Sequence, residues 1–85
     1  MQENEIFEKI KSILIKDLSL KLQITREMAL IRDLGMDSMD FATYIIKVED
    51  IFHMKISNED IENYQLGILN NMINYLKLRN NNNEV

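Results

Sequence analysis

The chain has no cysteine, no proline and no tryptophan, and only one histidine and two glycines among its 85 residues. Without cysteine there can be no disulfide framework and no thiolate metal site, so apolar packing alone must hold the fold. A lone imidazole, His53, argues against zinc as well. The glycines, Gly35 and Gly67, are too far apart to form a glycine-rich phosphate loop. Long apolar runs are also missing. The longest, Met28 to Ile31, spans four residues, against about 18 for a membrane span. The opening residues Met1 to Glu5 are acidic and lack the basic-then-apolar pattern of a secretory signal. A cytoplasmic location is therefore expected, bacterial or, after removal of a transit segment, in an organelle stroma or matrix.

What is present is the balance of a globular domain, 46% hydrophobic and 28% charged. The length suits one small core. Net charge is −4, and it is unevenly spread. Residues 1–32 and 63–85 each sum to +1, while residues 33–62 sum to −6. An acidic middle third repels nucleic acid and favours partners with basic surfaces, chiefly by speeding encounter.

Apolar spacing predicts an all-α domain, a small four-helix bundle of three longer helices and a short third one. The first helix is expected over about Glu5–Leu18, with Ile6, Phe7, Ile10, Ile13, Leu14 and Leu18 inward. A long loop, Ser19 to Met36, follows, pinned by Leu20, Leu22, Ile24, Met28, Leu30 and Leu34, with a short turn capped by Thr25. The second helix starts at Asp37 as N-cap, after a sharp turn at Gly35, and runs to Phe52. Its core stripe is Phe41, Ile45, Val48 and Phe52. Met39, Thr43, Ile46 and Asp50 face the other way, which suggests a docking face. Ser57, with Asn58, Glu59 and Asp60 behind it, caps the short helix, with Ile61 as core anchor and Ile56 before it. After Gly67, Leu69, Met72, Ile73 and Leu76 form the stripe of the last helix. Residues 1–79 make the domain and 80–85, rich in asparagine, a disordered tail.

The motif that carries chemistry is Leu34-Gly35-Met36-Asp37-Ser38-Met39-Asp40. It places one hydroxyl at the start of a helix. A serine nucleophile needs a base in reach, and His53 is fifteen residues on, about 22 Å along a helix. The acids Asp33, Asp37 and Asp40 miss the ligand spacing of a calcium loop. No catalytic residue and no metal ligand set is therefore expected. Ser38 is better suited to covalent modification, because a phosphodiester there lies near free N–H groups and the positive end of the helix dipole. The neighbouring acids oppose that charge and are better explained as recognition groups for an enzyme that brings the phosphate.

These seven residues resemble the Leu-Gly-x-Asp-Ser-Leu-Asp motif of acyl carrier proteins. The similarity extends to the acidic end Val48 to Phe52, to the segment Ile56–Glu62 and to Ile73–Leu76. The resemblance implies a 4′-phosphopantetheine arm on Ser38, transferred from coenzyme A, which would supply the thiol the chain lacks. It implies a non-enzymatic, monomeric carrier that shuttles thioester-linked acyl cargo, sheltered in the bundle, between enzymes of fatty-acid or polyketide-type synthesis. It implies Asp37, Met39, Asp40, Ile46, Glu49 and Asp50 as contacts for a phosphopantetheinyl transferase and for acyl-loading and elongation enzymes. Met39 replaces the usual leucine, a nearly volume-neutral change, and methionine there also occurs in D-alanyl carriers. Thr43 and Lys47 stand where fatty-acid carriers are more acidic, and the junction before the last helix is about two residues longer than usual. These departures favour a dedicated pathway, with an aminoacyl (D-alanyl-like) or peptidyl carrier as the alternative. A small helical adaptor that binds through Met39 and Ile46 is the non-carrier reading.

Overall fold

The computed structural model describes residues 2–18 and 23–83. Helix α1 spans Glu3–Ser12 and buries Ile6 and Ile10. The chain continues through one π-helical turn, Ile13–Asp17, which carries Ile13 and Leu14 into the core. Leu18 N–H donates to the Ile13 carbonyl at 3.2 Å, an i to i+5 bond. This wider turn shifts the helix register and leaves Ile15 exposed. The expected first helix is thus an α-helix with a π-helical end.

The long connection holds an unexpected helix, α2, Leu30–Leu34. Its N-cap residue, Ala29, has no side-chain acceptor. Asp33 reaches back instead, and its Oδ2 accepts from Ala29 N–H at 2.8 Å. Ala29 also bridges antiparallel to Ile68. Leu30 N–H donates to the Gly67 carbonyl at 2.8 Å, and Leu69 N–H donates to the Met28 carbonyl at 3.0 Å. Buried Ile24, Leu30 and Leu34 complete the anchoring, and Met28 is half-buried. Leu20 and Leu22, expected as further pins, lie outside the described residues. The chain turns at Thr25 through its backbone, not through the expected side-chain cap, with Met28 N–H donating to the Thr25 carbonyl at 3.3 Å.

Helix α3, Ser38–Phe52, buries Tyr44, Ile45, Val48 and Phe52. Phe41, expected in that stripe, is only half-buried, and the larger share of the interior is taken by Tyr44 one turn on. His53 ends the helix in a left-handed conformation, φ 54°. Helix α4, Asn58–Asn63, is capped by Ser57, whose Oγ accepts from Asp60 N–H at 3.0 Å. It contributes no fully buried residue. Ile61 only leans on the core, and Ile56 just before the helix is the buried anchor. The reason is length: fewer than two turns cannot present a whole stripe inward.

Helix α5, Leu69–Asn83, is the central strut. Leu69, Met72, Ile73 and Leu76 are all fully buried, each worth about 1.5–3 kcal/mol relative to exposure. The tail expected from Asn80 begins within α5, and Glu84 and Val85 lie outside the described residues. A polar clasp joins the two ends of the chain. Glu3 on α1 accepts from Arg26 in the loop and from Lys77 on α5, the latter at 3.0 Å. The Arg26 guanidinium, and then Lys77, hold the Glu3 carboxyl below its usual range.

Candidate functional site at the start of helix α3

The turn into α3 is made by Gly35, left-handed at φ 69°. That conformation strains any residue with a Cβ, which explains glycine here. Met36, almost wholly buried, fastens the next residue to the core. Asp37 then caps α3, its Oδ1 accepting from Asp40 N–H at 2.8 Å. Ser38 follows as the first helical residue and is exposed. The backbone N–H groups of Ser38 and Met39 have no acceptor within the helix. They and the helix dipole suit a phosphate ester on the Ser38 hydroxyl. His53 lies at the opposite end of α3, so the only imidazole in the chain is about 22 Å from that hydroxyl.

Ser38 stands at one end of an open groove of about 460 Å³ between α3 and α4. Phe41, Ala42, Ile45 and Ile46 line it from α3, and Ile56 and Ile61 from the other side. Asn58, Glu49 and Glu62 add polar groups. The arrangement offers an anchoring hydroxyl in water beside a mostly apolar trough. Next to it, a second hollow of about 430 Å³ is lined by Ile46, Glu49 and Asp50 together with Lys47, His53, Met54 and Lys55.

The structure brings Asp37, Ser38, Met39 and Asp40 together in the first turn, all exposed. Ile46 and Asp50 are exposed further along the helix. Met39 and Ile46 are 79% and 62% exposed, far more than their apolar character favours. Glu49 differs from its neighbours. It is half-buried, and its Oε2 accepts from Ile56 N–H at 2.8 Å, tying α3 to the chain entering α4. A contact role for Glu49 would therefore be combined with a structural one. The face is also less purely acidic than the charge totals suggest, because Lys47 and Lys55 are exposed around it.

Sequence reasoning missed Tyr44. Its ring is stacked on that of Phe41, centroids 5.9 Å apart, and it is wholly buried. Its hydroxyl has no hydrogen-bond partner among the described residues, an arrangement that costs about 1–3 kcal/mol. Burial alone pushes the phenol well above its ordinary pKa. No periodicity argument separates Tyr44 from Phe41, since both lie within about 60° of one another on the helix. On the other side of α4, Tyr75 donates to Asp60 Oδ2 at 2.6 Å, and Arg79 pairs with the same oxygen at 2.7 Å.

Residues 8–76 match the family model described as the phosphopantetheine attachment site. The chain is 36% identical over 74 residues to the acyl carrier protein of Syntrophus aciditrophicus, covering 86% of this chain and 90% of that protein. It is 34% identical over 74 residues to the acyl carrier protein of Thermotoga maritima, covering 86% and 89%. With the acyl carrier protein of Guillardia theta it shares 35% identity over 72 residues, covering 80% and 89%. An exposed serine at a helix start and a match across most of its length show that the chain belongs to the phosphopantetheine-attachment family of acyl carrier proteins.

Proposed function

We propose that Ser38 is the residue that bears the 4′-phosphopantetheine arm, and that the chain carries acyl groups between enzymes without catalysing their chemistry. The observation that supports this most is the position of Ser38, exposed at the N-terminus of α3 and opening onto the apolar groove. When attached, the arm supplies a thiol on which acyl groups ride as thioesters. The protein's own residues then have three tasks. Gly35 and Asp37 hold the hydroxyl outward, the N-terminus of α3 favours the phosphodiester, and the groove offers the cargo an apolar wall.

Met39 and Ile46, with Asp37, Asp40 and Asp50 around them, form the docking face for the transferase and for acyl-loading and elongation enzymes with basic surfaces. Glu49 contributes there while holding Ile56. Thr43 and Lys47 are both exposed on α3, and they favour partners with fewer basic contacts than general fatty-acid enzymes, hence a dedicated pathway. The location proposed is the cytoplasm. No helix among the described residues is long and apolar enough to cross a membrane.

A thiol titration tests the carrier reading simply, because the chain has no cysteine. After treatment with coenzyme A and a phosphopantetheinyl transferase, one titratable thiol per chain is expected. A protein that remains free of thiol with several transferases would contradict the reading and favour the adaptor.

A further inference from the structure

Two buried side-chain atoms among the described residues lack a hydrogen-bond partner, Arg26 Nε and the Tyr44 hydroxyl. Arg26 is otherwise satisfied, since its Nη2 reaches Glu3 and Asn70. Tyr44 has only its hydroxyl to offer. Buried hydroxyls are nearly always paired, so an orphan within an apolar core requires an explanation. Phenylalanine would fill the same space and leave nothing unsatisfied.

The position of the orphan bears on the groove. Phe41, which stacks on the Tyr44 ring, is itself part of the wall that begins at Ser38. It is only half-buried, and its ring edge faces Gly67, where an added Cβ would meet it at 3.8 Å. Phe41 thus stands between the apolar trough that begins at Ser38 and the buried ring of Tyr44.

Building on the carrier reading, we propose that Tyr44 is a specificity-determining residue. Its hydroxyl pairs with an oxygen on the acyl chain once Phe41 gives way. Acyl groups that carry a hydroxyl or carbonyl are then held inside more firmly than saturated chains of the same length. A saturated chain leaves the phenol unsatisfied, whereas an oxygenated one supplies the partner that the core withholds.

The test uses the arm-bearing protein, its Tyr44→Phe variant, and each of them loaded with octanoyl or 3-hydroxyoctanoyl. The readouts are the rate at which hydroxylamine cleaves the thioester and the thermal midpoint of every form. In the natural sequence, 3-hydroxyoctanoyl should be cleaved about five-fold more slowly than octanoyl, the ratio one hydrogen bond supplies. It should also raise the midpoint further. Tyr44→Phe should remove both differences while leaving the unloaded protein at least as stable. The proposal is overturned if the natural protein shows no preference, or if the variant keeps it. It is equally overturned if adding the arm alone, without cargo, reproduces the Tyr44 effect, because the acceptor then lies on the arm. Failure to gain the arm would be seen by mass before any cargo is compared, and would overturn the carrier reading itself.

Discussion

Single residues in this chain are placed by strong local chemistry, and their substitution separates stability from association. Gly35 holds φ 69° with open space around its Cβ position, so alanine there meets strain rather than a clash. Gly35→Ala should cost about 1–2 kcal/mol, read as a lower urea midpoint with an unchanged slope. Asp50 and Glu49 are neighbours in different settings. Asp50 is exposed, so Asp50→Lys should slow association with a basic partner and leave the unfolding midpoint nearly unchanged. Glu49→Lys should slow association too, but it also leaves Ile56 N–H without its acceptor, at a cost of about 1–3 kcal/mol. Equal unfolding midpoints for the two variants would show that the Ile56 contact contributes nothing. Asp37 and Ser57 were legible as caps because a cap acts within three residues. Tyr44 was not, because which of several adjacent residues faces inward depends on what the helix packs against.

At the scale of elements, the helices differ in what holds them. Helix α5 is secured by its own buried stripe, which a 3.6-residue period reveals directly. Helix α4 has no fully buried residue and depends on its Ser57 cap and on Asp60, shared by Tyr75 and Arg79. Asp60→Ala should therefore raise hydrogen exchange across residues 58–63 well before the bundle unfolds, while α5 stays protected. Uniform loss of protection would show that α4 and α5 open together. Helix α2 was illegible for a related reason. Its five residues are too few for a period, and its supports, the Asp33 side chain and the bridge from Ala29 to Ile68, come from the next turn and from the far end of the sequence. Glu3 links three segments in the same nonlocal way. Its folded pKa is lowered from the ordinary carboxyl value of 4.5 by Arg26 and Lys77. The stability it contributes is therefore present above pH 4.5 and is lost as pH falls through the lower folded value. Acid titration of the midpoint should be shallower below that pH in Glu3→Gln than in the natural sequence. Identical profiles would assign acid sensitivity to other carboxylates.

For the whole molecule, fold and function were legible to different depths. Three of the helices could be placed from apolar spacing, α4 from its Ser57 cap, and the candidate site from a seven-residue motif. The groove could not, because its opposite wall is brought to α3 by the turns at His53 and Ser57. The acidic middle third, −6 over residues 33–62, is a surface that a basic partner would favour. Docking should weaken as salt rises from low to physiological strength, through slower association. Rates insensitive to salt would mean that Met39 and Ile46 decide recognition alone. The central claim, that this bundle exists to present one modified serine beside an apolar groove, is tested most directly by intact mass followed by peptide mapping. The protein and its Ser38→Ala variant are each treated with coenzyme A and a phosphopantetheinyl transferase. The account predicts one phosphopantetheine added to the natural sequence, mapped to Ser38, and none to the variant. Modification of Ser38→Ala, or an arm mapped to any other residue, would contradict it.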